Sequence, residues 1–371
     1  MKKNLRSKIL LCVLAGGVLA ANTALADAPD EILHEDGNDP YAIAKTVYQE
    51  TYSKSSGKIE AVAEGSGNAR AYALYVNNGT TDLGKVEINA VAVSDDNNAS
   101  AYGIYASGKS TVIKNSGKIE SVAESDVKAR AYALYVNNGT ADLGNVEISA
   151  VAVSDSNNVG AYAIYADNGS KVDITGGSIN AIANDGKKTA YAIYSSNSDV
   201  DVTSKNISIN GDIRNDGNGT ININLNSKNA VLNGSVRNNG DEINLALTNG
   251  ATWNTSGHNS SKITKLTMDN GIINPEYTGA MSVDYYSGIG EVIQIIGDDT
   301  SGDGSIDVDG GRIDIENASS GSVINLTVTN NNLVSTIDNA KALENLNELA
   351  KEVRYDAHDG NLTGKVTIKE A

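Results

Sequence analysis

A repeat constrains this 371-residue chain more than any other feature of it. Ala71-Tyr72-Ala73-Leu74-Tyr75-Val76-Asn77-Asn78-Gly79-Thr80 returns letter for letter at 131–140. Partial copies occupy 101–105, 161–165 and 190–194, and a worn copy, Tyr41-Ala42-Ile43, precedes them all. The leading tyrosines, Tyr41, Tyr72, Tyr102, Tyr132, Tyr162 and Tyr191, recur within a residue of every thirty. Self-similarity at that period marks a solenoid, whose units bury apolar surface only by stacking on one another. Length alone admits two globular domains, but the repeat favours one elongated body.

Each unit divides into three short alternating runs separated by Gly, Asn, Asp and Ser clusters, the pattern of strands joined by turns. In the first run Leu74, Ile104, Leu134, Ile164 and Ile193 share side-chain parity with the leading tyrosine. That parity predicts the leading tyrosine inside and the second tyrosine outside. The second run alternates apolar residues with carboxylates, as in Val172-Asp173-Ile174 and Val200-Asp201-Val202. The third, Ile59-Glu60-Ala61-Val62-Ala63 and its copies from Ile88, Ile119, Ile148 and Ile179, presents a small Ile-Ala-Ala face that complements the bulkier first wall. The expected fold is therefore all-β, a three-walled parallel β-helix over 40–334. Beyond Ser204 the period shortens, since Gly211-Asp212-Ile213-Arg214-Asn215 recurs as Gly234-Ser235-Val236-Arg237-Asn238. Ile337, Leu343, Leu346, Leu349 and Val353 then predict a helix over 335–358, followed by a terminal strand within 359–371.

At the other end, a basic start, an apolar run and Ala24-Leu25-Ala26 predict a secretory signal peptide over 1–26. Residues 27–39 read as an acidic, aperiodic N-terminal arm. Cys12, the single cysteine, falls inside the signal, so thiolate chemistry and disulfides are not expected in the mature chain. Lys and Arg number 29 against 46 acids, and four of the cations lie in the signal, leaving 25 − 46 = −21. That charge repels phosphate backbones, so nucleic acid is not an expected partner.

Leu245-Ala246-Leu247-Thr248-Asn249-Gly250-Ala251-Thr252-Trp253-Asn254, followed by Ile263-Thr264-Lys265-Leu266-Thr267-Met268-Asp269-Asn270-Gly271, resembles a coil pair of pertactin-like autotransporter passenger domains. The tail, Asn361-Leu362-Thr363-Gly364-Lys365-Val366-Thr367-Ile368, resembles the late part of such passengers. The resemblance covers roughly the last third of the chain. It implies a right-handed β-helix, secreted or held on the outer membrane of a Gram-negative-type bacterium. It also implies an adhesin or self-association role, with a host or bacterial surface protein or glycan, or a second copy, as partner. The family's C-terminal β-barrel is missing here, so this reading expects a truncated passenger whose membrane link runs only through that missing barrel.

Enzymatic signals are sparse. None of His34, His258 and His358 has a nucleophile motif beside it, and Ser301-Gly302-Asp303-Gly304-Ser305 places glycine where a catalytic serine belongs. Asp299, Ser301, Asp303, Gly304, Ile306 and Asp307 follow a calcium-loop spacing, but Gly310 stands at the closing position, so no metal is expected. Asp173 and Asp201, in matching places of neighbouring coils with no cation beside them, give the alternative reading, a polysaccharide lyase or glycoside hydrolase on a β-helix. The favoured expectation is a non-enzymatic protein without cofactor. Its candidate contact surface is the outward row Tyr75, Tyr105, Tyr135, Tyr165 and Tyr194.

Overall fold

A computed structural model of the chain describes residues 30–156, 158–184, 190–255, 261–275, 281–296, 308–309, 313–330, 362–363 and 366–370. The described residues form an all-β parallel solenoid of about nine turns. The signal peptide, the 299–310 loop and the 335–358 helix expected from sequence lie outside them.

The thirty-residue period becomes the coil. Tyrosine-bearing strands Ala69–Asn77, Asn98–Ser107, Lys128–Asn137, Val159–Asp167 and Ala190–Ser196 pair in parallel, with Tyr72, Tyr102, Tyr132, Tyr162 and Tyr191 in register. Each alternates with a longer strand, Thr51–Gly65, Thr80–Ser94, Thr111–Ser125, Thr140–Ser154 or Lys171–Ala183, which carries the second and third sequence runs end to end. Where these runs meet, Gly57, Gly117 and Gly177 adopt φ of +95°, +91° and +98°, a backbone that only glycine takes without strain. From Asp199 onward the halves become separate strands, Asp199–Ser204 and Ile207–Asn210, as the period shortens.

The interior is narrow and almost wholly apolar. Ile59, Ala61, Ala63 and their copies from Ile88, Ile119 and Ile148 are fully buried, facing Leu74, Ile104, Leu134 and Ile164, so the small face and the bulky face interlock as the composition of the runs requires. Trp253 of the Asn-Gly-Ala-Thr-Trp-Asn stretch is inside as well, its indole N–H donating to the Gly234 carbonyl at 2.9 Å. Beside it runs an asparagine ladder. Asn210 donates to Asn180, Asn233 to Asn210, Asn254 to Asn233 and Asn274 to Asn254, all at 2.5–2.6 Å. One amide per coil thus donates along the axis and accepts from the next coil. Asn233→Ala removes a donor from Asn210 and an acceptor from Asn254; we expect a loss of about 1–3 kcal/mol, measured as a lower urea midpoint.

Sequence neighbours two coils apart resemble each other more than adjacent coils do, and the structure gives the reason. The outward positions Lys58, Glu87, Lys118 and Glu147 are register partners, so charge alternates in sign along the wall. Stacking like charges at about 4.8 Å would be repulsive. Lys58 and Lys118 also pair within their own coils with Glu60 at 2.5 Å and Glu120 at 3.0 Å. Inside, the same two-coil rhythm places Lys54, Leu83, Lys114 and Leu143 in one row, and Lys114 is completely buried.

Three sequence expectations need correction. The segment 27–39, read as a free arm, contributes the strand Glu31–Gly37, paired in parallel with Ile59–Gly65. The worn first copy is displaced by two residues: Ile43, not Tyr41, is the register partner of Tyr72, and Tyr41 pairs with Arg70. The third concerns which way the leading tyrosines point.

Candidate functional site: two tyrosine ladders on one outer face

Strict alternation would send Tyr72 inward with Leu74. Instead, Ala71, Ala73, Leu74 and Val76 are all fully buried while Tyr72 and Tyr75 are both partly exposed. Two consecutive inward residues, Ala73 and Leu74, shift the parity, and the register from coil to coil passes over Ala73. The leading tyrosines, expected inside, therefore join the second row outside. Only a small residue fits at the shifted position. At Gly103, which occupies it in the next coil, a Cβ would come within 2.6 Å of the Ala133 carbonyl and 2.8 Å of Ile119.

Tyr75, Tyr105, Tyr135, Tyr165 and Tyr194 do form the predicted outward row, in register from coil to coil. Their rings stack at centroid separations of 5.3, 4.8, 4.8 and 4.8 Å. The Tyr72, Tyr102, Tyr132 and Tyr162 rings stack at 4.6–4.9 Å with planes within 8°. The two ladders meet nearly at right angles, 74–82° between planes at 5.4–6.0 Å. Offset stacking along the axis and edge-to-face contact across it are the favoured arrangements for aromatic quadrupoles. The geometry also limits what the surface offers. Ring faces are covered by the coils above and below, so solvent meets ring edges and hydroxyls rather than flat platforms on which sugars stack.

Burial keeps these hydroxyls protonated. It pushes the phenol of Tyr132 up to about 12, and that of Tyr72 up to about 12 with help from Tyr41. Burial likewise carries Tyr102, Tyr165 and Tyr194 well above the ordinary tyrosine range. The face is thus a double row of hydrogen-bond donors at neutral pH.

A polar clamp ends the rows. Arg214 lies 5.9 Å from the Tyr191 and Tyr194 ring centres, donates to the Tyr191 hydroxyl at 3.3 Å and pairs through Nε with Asp216 Oδ2 at 2.7 Å. The Tyr194 hydroxyl donates to the same oxygen at 2.8 Å. Burial alone would raise the Asp216 carboxyl, but hydrogen bonds from Arg214, Asn239 and Tyr194 outweigh it and hold the group below the usual carboxylate range. Nothing in the periodicity announces this clamp, because Arg214 stands where the repeat is losing its tyrosines.

Two residues before each leading tyrosine, on the same outer face, stands the row Arg70, Ser100, Arg130 and Gly160. Arg70, Ser100 and Arg130, together with Asn68, Asn98, Lys128, Tyr72 and Tyr102, line a hollow of about 330 Å³. A second hollow, of about 300 Å³, lies over the turn residues Ser110, Asn138, Gly139 and Gly169. Neither is lined by a carboxylate. The cationic row was readable in principle, since Arg70 and Arg130 share parity with Tyr72 and Tyr132, but an inward assignment of those tyrosines hides it.

Asp173 and Asp201 are register partners, as their spacing implied. They do not stand without a cation: Lys171 pairs with Asp173 at 3.3 Å, and Asn222 donates to Asp201 at 2.7 Å. The row belongs to an exposed wall rather than a cleft. His34 lies beside Asp36 at 3.0 Å, with Glu64 near, all three exposed. Among the described residues no helix is long and apolar enough to cross a membrane.

Compared with known protein families, with curated proteins and with solved structures, the chain matches none of them.

Proposed function

We propose that this chain is a non-enzymatic adhesin or self-association module, the β-helical passenger of an autotransporter displayed at or secreted from a Gram-negative-type outer membrane. In its finer form the reading is a right-handed, three-walled β-helix. Its partners are a host or bacterial surface protein or glycan, or a second copy of itself. The observation that carries the proposal is the double tyrosine ladder, a regular outer face many coils long whose hydroxyls are held in place by stacking. A surface of that length suits repeated weak contacts to an extended partner, where avidity supplies the affinity. The aligned Asp173 and Asp201, taken up by Lys171 and Asn222, lend the lyase or hydrolase alternative no support.

Cells or beads displaying the chain test the proposal. Changing Tyr105, Tyr135 and Tyr165 together to serine removes donors and ring edges from three adjacent coils while leaving the core untouched. We expect clumping or surface attachment to fall sharply, with the β-sheet circular dichroism retained, although lost ring pairs lower the unfolding midpoint. Leu134→Ala is the control: a core cavity costs on the order of 2–5 kcal/mol at a site that touches no partner, so adhesion per folded molecule stays unchanged. A triple variant that attaches and clumps like the parent reduces the ladders to packing devices.

A further inference from the structure

Charge is distributed unevenly over this acidic protein. Among the described residues of this half of the solenoid, Lys45, Lys58, Lys118 and Lys171 stand in ion pairs with Glu31, Glu60, Glu120 and Asp173. Arg70, Lys128 and Arg130 take part in none of them, yet they gather at one hollow on the tyrosine face. Arg70 and Arg130 are exposed, and Lys128 is half-buried. Gathering three cations around a hollow whose lining carries no carboxylate does nothing for the fold, whose walls elsewhere use oppositely charged neighbours. Asp95, Asp96 and Asp126, in the turns leading into these strands, are not among the residues lining the hollow, and the nearby Asp39 is engaged by the Asn68 backbone and side-chain N–H groups at 2.7 and 3.4 Å.

We infer that this hollow binds an extended acidic polysaccharide, with the acid groups of alternate sugars held by Arg70 and Arg130. The register supplies the spacing. Arg70 and Arg130 occupy equivalent positions two coils apart, about 9.6 Å at the strand separation of a parallel sheet, with small Ser100 between them. An extended chain running along the axis places one sugar per coil, so an acid on every second sugar meets an arginine on every second coil. Guanidinium forks take carboxylate or sulfate oxygens in paired, charge-assisted hydrogen bonds. Asn98 donates to the Asn68 side-chain oxygen at 3.0 Å and Asn68 to Asp39 at 3.4 Å, and the second N–H of each amide can turn to sugar hydroxyls. The phenols of Tyr72 and Tyr102 stay protonated and donate from the other side. A neutral glycan would leave the cations unused, and a short peptide would not match a repeat fixed by coil height. This proposal rests on the adhesive reading above and narrows it to one ligand class and one part of the face.

The test uses the full chain and three probes: hyaluronan, with a carboxylate on alternate sugars; polyglutamate, equally acidic but a peptide; and dextran, neutral. Binding is measured by calorimetry or biolayer interferometry across a salt series. We expect hyaluronan to bind with an affinity that falls as salt rises, polyglutamate to bind much more weakly, and dextran not at all. Arg70→Gln with Arg130→Gln should weaken hyaluronan binding about tenfold or more without moving the unfolding midpoint. Lys109→Gln, a surface cation outside the hollow, should change nothing. Equal binding of polyglutamate and hyaluronan would overturn the proposal in favour of a nonspecific basic patch. Self-association lost in the double-glutamine variant, with hyaluronan unbound by the parent, would overturn it in favour of a second copy as occupant. If hyaluronan fails while the Tyr105, Tyr135 and Tyr165 triple serine still abolishes attachment, the adhesive reading survives and only the ligand class falls.

Discussion

Raising the pH through 10 and beyond unfolds the solenoid, and tyrosinate absorbance appears together with the loss of sheet signal rather than ahead of it. The cause is the ladders. Burial raises Tyr72 and Tyr132 to about 12, and Tyr102, Tyr105, Tyr135, Tyr162, Tyr165 and Tyr194 upward from the model-compound value of 10.0. A group whose folded pKa is raised gives stability that is complete below its unfolded pKa and is lost as pH climbs through the folded one. Between about pH 10 and 12 the unfolded chain gives up phenol protons that the folded chain retains. For the well-buried Tyr132 alone this amounts to roughly 3 kcal/mol. The stacked rings also repel one another once charged, so ionising one phenolate holds back its neighbours and the loss is steep. The matching experiment follows tyrosinate absorbance and circular dichroism through one alkaline titration. Phenols that ionise near pH 10 with the sheet intact would show that the ladders are open to water and contribute little. The triple serine variant should shift the transition to higher pH, since it deletes three of the groups responsible.

Much of this architecture could be read before any coordinates, because a repeat that returns letter for letter leaves little freedom of register. Tyr72, Tyr102 and Tyr132 align as their spacing requires, and the Ile-Ala-Ala face points inward because nothing interrupts its alternation. The largest discrepancy has a plain physical origin. Parity arguments assume an unbroken strand, and a single shift at Ala73 moves the whole leading row to the other face. The same shift brings Arg70 and Arg130, two residues before Tyr72 and Tyr132, onto the outer face beside the aromatic rows. Tyr41 was misplaced because two residues of drift cannot be detected in a copy that retains only Tyr-Ala-Ile. Glu31–Gly37 was passed over because its acidic sequence lacks the apolar alternation of the later coils, yet backbone pairing to Ile59–Gly65 suffices to make it a strand. For Asp173 the register was right, but Lys171, two residues away on the same face, was left out of the reckoning.

Lys114 shares strand parity with the buried Val112, an inward place at which a charged side chain is unexpected, and removing it should be among the most damaging single changes in the chain. It stands in the row of Leu83 and Leu143, pointing into the core at the bend between the two halves of its long strand. Its ammonium donates to the Val86 carbonyl at 2.5 Å and the Ser116 carbonyl at 2.7 Å, with the Gly84 carbonyl at 3.5 Å. Gly117 provides the room, since a Cβ there would lie 3.2 Å from Nζ and 2.8 Å from the Val86 oxygen. The Lys54–Gly57 coil repeats the arrangement, whereas the Leu83 and Leu143 coils carry Val86 and Val146 in place of the glycine. In these four coils lysine accompanies glycine and leucine accompanies valine, while the following coil joins Ile174 to Gly177. Lys114→Met keeps the length and apolar stem but strands the corner carbonyls away from water, for an expected loss of about 2–5 kcal/mol in urea unfolding.

Titration gives a second and opposite signature. Burial pushes Lys114 down from 10.5 to about 8, with Glu87 acting against the shift. Between about pH 8 and 10.5 the unfolded chain therefore binds more protons than the folded one, so this group makes the fold more stable as pH rises, by up to roughly 3 kcal/mol. A neutral amine still donates two hydrogen bonds to the corner, so deprotonation relieves the desolvation of the charge without orphaning the carbonyls, which methionine cannot do. The parent should gain stability from pH 8 toward 10 before the tyrosines reverse the trend, and Lys114→Met should show only the descending limb. A variant as stable as the parent at pH 7, with the same rise above pH 8, would mean that the corner carbonyls are satisfied without the lysine.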